Sequence, residues 1–353
     1  MPSRPIGPRL LLLWDRGRPP WLLRCLASVF GILVRARRAA YARGWLRSQR
    51  LQRPVLVVGN ITVGGSGKTP LVIWLAAQLR AAGWTPGIVL RGYGGTASSR
   101  RTALRVEPDS DPRLVGDEAL LLRQRTGLPV AVCRERVRAG RLLLEEGVDL
   151  IVSDDGLQHL ALARNVEIAV IDANYGLGNG YLLPAGPLRE PRARLAQVDA
   201  LVINGHSAHW REALRALGAL GPFTMRLAGE WLWPLAGAGE RAALAGFAGR
   251  RVHALAGIGH PQRFFAQLRE AGLKVIEHVF ADHHRYCSAD LEFADELPVL
   301  MTEKDAVKCR AFGGANRWYL PVSATFEDTE AAALLAGLQR RLERARGMTI
   351  AGG

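Results

Sequence analysis

Three features of the sequence predict an α/β fold: a doubly wound, mostly parallel sheet with a second, smaller α/β domain behind it. A glycine-rich loop joins an apolar run to a helical pattern between residues 54 and 79. Buried-type strands then alternate with helical stretches as far as residue 203, the pattern of a sheet covered on both faces. Near residue 230 the character shifts, and a new strand-to-helix unit opens at Ala254. At 353 residues, 48% of them hydrophobic, the chain is long enough for two domains of ordinary size.

The first segment, residues 1–50, reads as a basic amphipathic, membrane-associating region. Of the formal charge of +15, residues 1–53 carry +11, as twelve Arg against one Asp. A basic leader beside apolar residues points to an anionic membrane surface. It does not suggest nucleic acid, whose binders carry Lys/Arg on the folded body. From Trp21 to Val34 the chain is almost continuously apolar, broken at Arg24 and followed by Arg35, Arg37 and Arg38. As a helix this run rises about 21 Å, short of the ~30 Å hydrocarbon core, so it is expected to lie on a membrane and not cross it. A signal peptide lacks a small-residue cleavage site here; an ordinary N-terminal core helix is the plainer alternative.

Residues 51–229 read as a P-loop NTPase-like domain. Pro54-Val55-Leu56-Val57-Val58 is the strand, Asn60-Ile61-Thr62-Val63-Gly64-Gly65-Ser66-Gly67-Lys68-Thr69-Pro70 the loop, and Leu71 to Leu79 the helix. Backbone N–H groups from Thr62 through Val63, Gly64, Gly65, Ser66 and Gly67 suit phosphate oxygens. Lys68 suits the β/γ-phosphates, and the Thr69 hydroxyl suits Mg²⁺. The consensus G-x-x-x-x-G-K-[ST] places Gly where this chain has Thr62; Gly64 and Gly65 relax the same turn.

Strands are expected at residues 86–90, 129–132, 149–152, 166–171 and 198–203, with helices near 118–125 and 136–146. Ligands gather beyond the carboxyl ends of such strands. The run Asp149-Leu150-Ile151-Val152 ends in Ser153-Asp154-Asp155-Gly156, a Walker B pattern that offers a metal carboxylate beside the loop. Adjacent acids on a strand point to opposite sides, so one of Asp154 and Asp155 faces the metal directly. Asp117, in Val115-Gly116-Asp117-Glu118, reads on its own as a helix N-cap.

Residues 230–327 read as the smaller α/β domain that completes an acceptor site, and 328–353 as a closing helix and tail. Within the former, Phe280-Ala281-Asp282-His283-His284 offers adjacent histidines without the i, i+4 spacing of a helical metal pair, which favours acid/base or substrate contact over zinc. In Met301-Thr302-Glu303-Lys304-Asp305 the adjacency of Lys and Asp gives no support to guanine recognition. Cys25, Cys133, Cys287 and Cys309 are scattered without metal spacing and are expected as free thiols.

Taken in order, G-N-I-T-V-G-G-S-G-K-T-P, L-R-G-Y-G, V-G-D-E, S-D-D-G-L-Q-H, L-L-P-A-G-P-L-R-E, A-G-I-G-H-P-Q-R-F-F, D-H-H and M-T-E-K-D-A-V-K resemble the lipid A 4′-kinase (tetraacyldisaccharide 4′-kinase) family, whose own loop carries Thr at the departing position. The resemblance runs from the basic helix to about residue 325. It implies transfer of a phosphoryl group from ATP, with Mg²⁺, to the 4′-hydroxyl of an acylated glucosamine disaccharide 1-phosphate, at the cytoplasmic face of the inner membrane. The attachment implied is peripheral or monotopic, and no obligate protein partner or nucleic acid is implied. It further implies that Asp117 pairs with His283 to activate the sugar hydroxyl, and that Tyr93, Gln158, His159, Arg189 and Asp282 lie near phosphate or sugar. Two rivals stand beside it. One is a metallocentre-assembly GTPase, disfavoured by the absent guanine motif. The other is a membrane-attached regulatory P-loop ATPase, whose ADP release would not respond to acylated disaccharide.

Overall fold

The computed structural model describes residues 14, 17–99, 101–237 and 239–350. Arg4, Arg9 and Arg16 of the basic leader, and the tail after residue 350, lie outside the described residues.

The first unit is a nine-stranded sheet. Its elements run β1 (Val55–Gly59), α2 (Lys68–Ala81), β2 (Pro86–Leu90), β3 (Leu104–Arg105), α3 (Asp117–Thr126), β4 (Val130–Val132), α4 (Arg136–Glu145), β5 (Leu150–Ser153), β6 (Val166–Asp172), β7 (Ala200–Asn204), α5 (Ala208–Arg215) and β8 (Leu220–Ala228). They follow the helix α1 (Trp21–Ala42). The spatial order is β15-β8-β7-β6-β1-β5-β2-β4-β3, where β15 is Ser323–Thr325. From β8 to β4 the pairing is parallel, and both edge strands are antiparallel. Strand β1 has β6 on one side and β5 on the other, so the loop leaving it emerges at the middle of the sheet, where the order reverses.

Both faces are covered, as the continuous apolar runs require. Leu71, Leu75 and Leu79 of α2, Leu122 of α3 and Leu334, Leu338 and Leu342 of the last helix fill one face. Val137 and Leu143 of α4 and Leu214 of α5 fill the other.

The second unit is a six-stranded sheet in the order β10-β9-β14-β13-β11-β12. It is built from β9 (Trp231–Pro234), β10 (Ala242–Ala243), β11 (Arg251–Ala256), α6 (Pro261–Glu270), β12 (Lys274–Val279), β13 (Val299–Thr302), α7 (Glu303–Cys309) and β14 (Arg317–Leu320). It has its own core, with Phe264, Phe265 and Leu268 on one face and Leu255, Met301 and Cys309 on the other. The chain then returns: β15, within the stretch that the sequence reading gave to the second domain, pairs with β8 of the first sheet, and α8 (Asp328–Ile350) packs beside it. A three-residue strand carries too little pattern to reveal its partner.

Helix α1 extends eight residues beyond the apolar run. Its buried residues are only Ala27 and Gly31. Trp21, Leu22, Leu26, Val29, Ile32 and Leu33 face outward, 48 to 74% exposed. Arg37 and Arg38, expected to face anionic lipid, instead pin the helix to the body: Arg37 Nη1 donates to the Gln158 carbonyl (3.1 Å), and Arg38 pairs with Glu190 (2.8 Å) and Gln197 (2.7 Å). The buried Glu190 carboxylate requires a cationic partner. Arg24 and Arg35 remain exposed. Among the described residues no helix is long and apolar enough to cross a membrane.

Candidate active site

The loop between β1 and α2 is fixed by its own side chains. Asn60 donates through Nδ2 to the Thr62 hydroxyl (2.7 Å) and accepts at Oδ1 from the Thr62 amide (3.0 Å), both residues buried. Thr62 therefore does with a side-chain hydrogen bond what the consensus glycine does with freedom. The Val63 amide donates to the Pro187 carbonyl (2.9 Å), and Asn204 Nδ2 to the Ser66 carbonyl (3.1 Å). Gly67 caps α2 with φ of 87°, and a β-carbon there would come within 2.5 Å of Asn204 Nδ2, so the position admits only glycine. Lys68 and Thr69 open the helix, whose free N–H groups and dipole favour phosphate.

The two Walker B acids diverge. Asp154 is buried; its Oδ2 accepts from Thr69 Oγ1 (3.4 Å), and its Oδ1 has no hydrogen-bond partner. Burial foremost, then the charge of Glu118, pushes its carboxyl up to about 7. Asp155, turned by a φ of 46°, receives both Arg189 Nη groups (3.1 and 2.9 Å) and lies 3.6 Å from Lys68 Nζ. Burial opposes its ionisation, but Lys68 and then Arg189 more than offset this and hold the carboxyl well below the usual range. A buried, unpartnered carboxylate oxygen beside the Thr69 hydroxyl suits Mg²⁺. That ion takes one or two carboxylates and completes its shell with phosphates and water. Among the described residues no cluster of three or more His, Cys, Asp or Glu forms a self-sufficient cage.

Asp117 is the first residue of α3. Gly116 before it, at φ 90° and ψ 147°, is the N-cap, so the carboxylate is not needed for capping. Oδ1 accepts from the Glu118 amide (3.0 Å), and Oδ2 lies 3.1 Å from His283 Nδ1 of the second unit. His283 is held at φ 60°, its amide donating to Asp282 Oδ1 (3.1 Å), and its ring meets Tyr93 edge-on at 4.9 Å. Burial opposes charge on both partners. For Asp117 this is overcome by Lys304 first and then by His283, which keep the carboxyl well below the ordinary range. For His283 the hydrogen bond that Nδ1–H donates to Asp117 prevails and raises the imidazole above its usual value.

The remaining sequence candidates divide. Tyr93 and Asp282 border the Asp117–His283 pair, half exposed. Gln158 and Arg189 instead brace the loop from behind: Gln158 Nε2 donates to the Asn60 carbonyl (3.0 Å) and Glu190 (2.8 Å), and Arg189 Nη2 to the Asn60 carbonyl (3.0 Å). His159, with Nε2 buried and unbonded, is lowered to about 3 by burial and by Arg136, Arg164, Arg37 and Arg91, and so stays neutral.

Four further residues have roles that the sequence leaves unassigned. Arg136, buried, donates through Nη2 to the carbonyls of Asp154 (2.9 Å) and Asp155 (2.8 Å) and fixes the turn that aims both acids. Asn204 holds the loop. His260, at the start of α6, sits against Gly64, and Gly259 lies near the Gly65 amide, so the second unit is seated on the phosphate loop itself. Lys304 faces Asp117, Glu118 and Asp282. Arg136 and Asn204 stand in no local pattern; His260 and Lys304 lie in segments that the sequence singles out, but each acts through a partner distant in sequence, so its role is not legible there.

The family model described as "Tetraacyldisaccharide-1-P 4'-kinase" (LpxK) matches residues 19–341. The tetraacyldisaccharide 4′-kinase of Stenotrophomonas maltophilia (strain R551-3) is 50% identical over 334 residues, covering 94% of this chain and 96% of its own. That of Alkalilimnicola ehrlichii is 51% identical over 331 residues, covering 93% and 96%. Among solved structures, LpxK from Aquifex aeolicus in complex with ATP superposes with a TM-score of 0.70 at 27% identity, over 90% of this chain and 97% of that one.

Proposed function

The chain belongs to the tetraacyldisaccharide-1-phosphate 4′-kinase family, and on that premise we propose how it transfers the γ-phosphoryl group of ATP to the 4′-hydroxyl of a tetraacylated glucosamine disaccharide 1-phosphate, a step of lipid A biosynthesis. The observation that carries this reading is the pairing of Asp117 with His283 at 3.1 Å, made across the seam where the second unit meets the phosphate loop.

Phosphoryl transfer needs alignment and charge neutralisation more than covalent chemistry. The amides of Thr62 and Val63, expected to face phosphate, are taken by Asn60 Oδ1 and the Pro187 carbonyl, so those from Gly64 to Thr69 cradle the phosphates, and Lys68, steered by Asp155, meets the charge on the transferring group. Thr69 and Asp154 are the residues that would hold Mg²⁺, which would supply charge neutralisation at the phosphate oxygens. Both oxygens of Asp117 are engaged and the residue is buried, so the proton of the 4′-hydroxyl goes to Nε2 of His283, whose Nδ1–H the carboxylate orients. Tyr93 and Asp282 flank the acceptor. Gln158 and Arg189 act by holding the loop and Asp155 in place.

The outward apolar side of α1 supports attachment to the cytoplasmic face of the inner membrane, with exposed Arg24 and Arg35 toward anionic head groups. Between α1 and Tyr181–Leu182 runs a groove of ≈ 610 Å³ bordered by Trp21, Cys25 and Gly31, suited to an acyl chain of the acceptor. The deciding experiment incubates the full chain with ATP, Mg²⁺ and the disaccharide 1-phosphate and follows the product by mass spectrometry and ³¹P NMR. A second phosphate at the 4′ position is expected. ADP release that is indifferent to the disaccharide would return the chain to the regulatory ATPase reading.

A further inference from the structure

Lys304, the second residue of α7, has its ammonium at the seam between the units, and the transfer scheme above gives it no role. Nζ lies 3.0 Å from Glu118 Oε1 and 4.0 Å from Asp117 Oδ2 of the first unit, and 3.3 Å from Asp282 Oδ1 of the second, with the side chain 20% exposed. Three carboxylates thus converge on one ammonium.

The start of α7 is rigid. The Thr302 hydroxyl accepts from the Asp305 amide (3.2 Å) and donates to the Asp305 carboxylate (2.6 Å), which is fully buried and also accepts from the Gly257 amide (3.0 Å). Gly257 opens the loop that carries Gly259 and His260 onto the phosphate-binding loop. Asp305 therefore ties Lys304 and the phosphate-covering loop into one body. Seating that loop on the phosphates and bringing Lys304 to Asp117 are the same movement.

We propose that Lys304 is a positioning residue for phosphoryl transfer: its ammonium bridges Glu118 and Asp117 to Asp282 and sets the Asp117–His283 pair in register when the second unit is seated on the phosphate loop. The proposal rests on the reading of that pair as the proton acceptor. Without Lys304, closure would bring Asp282 against Asp117 and Glu118 with only His283, and Lys308 acting more weakly, to balance them. The charged groups facing Asp117 are Glu118 beside it, Asp282 and His283 on the loop after β12, and Lys304 and Lys308 on α7. Among these cations Lys304 acts most strongly on Asp117, and it also opposes protonation of His283.

The test compares Lys304→Met, which keeps the stem and removes the charge, with Lys304→Arg, which keeps the charge, in the full chain with ATP and the disaccharide 1-phosphate in mixed micelles. For Lys304→Met, kcat is expected to fall by about 10²-fold with KM for ATP little changed, the size of effect a mispositioned general base gives. The acid limb of the kcat profile, and the His283 imidazole titration read by ¹⁵N NMR, are expected to move to higher pH, and Lys304→Arg to restore both. Lys304→Met with near-normal kcat overturns the proposal. So does low kcat with His283 titrating where it does in the unchanged chain, because a merely structural lysine would leave that titration alone. Asp117→Asn in parallel separates the two readings. If it is impaired while Lys304→Met is not, only the role of Lys304 fails; if Asp117→Asn turns over normally, the base assignment fails and the positioning role falls with it.

Discussion

The sharpest physical prediction concerns α1, because a water-soluble helix ordinarily turns its large apolar side chains inward. Here Trp21, Leu22, Leu26, Val29, Ile32 and Leu33 stay 48 to 74% exposed while Ala27 and Gly31 are buried. Fully burying such a side chain stabilises by about 1.5–3 kcal/mol, so transferring the half still in water is worth about 1 kcal/mol each, and about 6 kcal/mol for the six. Val29→Glu with Leu33→Glu removes two of these and sets two carboxylates toward anionic lipid. The loss is at least about 2 kcal/mol, a factor of about 30 in partition. Cosedimentation with vesicles of phosphatidylethanolamine and phosphatidylglycerol measures it, with ATP affinity expected to hold because both residues lie on the outer side. Partition equal to that of the unchanged chain would refute the membrane assignment. An accompanying change in sedimentation coefficient would instead assign the apolar side to a second copy.

Three further outcomes follow from the site. Asp117→Asn removes the negative charge beside His283 and leaves one oxygen for two donors, the Glu118 amide and His283 Nδ1–H, and is expected to lower kcat by about 10²–10⁴-fold with KM for ATP nearly unchanged, measured by steady-state kinetics. The base must be neutral imidazole, and the hydrogen bond with Asp117 raises the His283 pKa above 6.5. Turnover should therefore fall as pH drops through a value above that of an ordinary imidazole, and the limb should move down in Asp117→Asn. A limb near the carboxylate range would reassign the base. Arg136→Met leaves the carbonyls of Asp154 and Asp155 without their charged donor; at about 3–6 kcal/mol for two such bonds, calorimetry should show a Tm lower by about 5 °C or more together with weaker ATP binding.

The parallel strands were legible because a strand buried on both faces must be apolar throughout. The expected strand 86–90 is the observed Pro86–Leu90, and 166–171 differs from Val166–Asp172 by one residue. Strand Leu220–Ala228 was not legible: Gly221, Pro222, Thr224 and Arg226 interrupt any pattern, and its outer partner, Ser323–Thr325, arrives about a hundred residues later. The same distinction runs through the site. Lys68 and Thr69 announce themselves because the loop chemistry is local, whereas Arg136 reads as an ordinary helix-opening cation until the carbonyls of Asp154 and Asp155 are placed beside it. Arg189 and Gln158 carry the residue types of phosphate and sugar ligands, yet their donors are directed to Asp155, Glu190 and the Asn60 carbonyl.

The character of the seam bears on how the site opens. Each unit has its own apolar core, and between them the contacts are largely charged: Arg125 with Glu303 (2.6 Å), Arg263 with Asp172, Lys304 with Glu118, and His283 with Asp117. These pairs are largely buried, so the hydration lost when the seam closes offsets much of their attraction, and units joined this way move relative to one another more readily than units sharing a core. The apolar link α7 does make, Val307 within the core of the first sheet, sits one helical turn from Lys304 and suits a pivot. Closure is then decided by what binds. On the proposed reading, the phosphates would draw in the loop bearing Gly259 and His260, and the ammonium of Lys304 would make the approach of Asp282 to Asp117 favourable. Water that would compete with the sugar hydroxyl is displaced in the same movement. A seam built from apolar residues would hold the site shut and trap the bulky product; on the proposed reading, a charged seam would allow both a dry transfer and release.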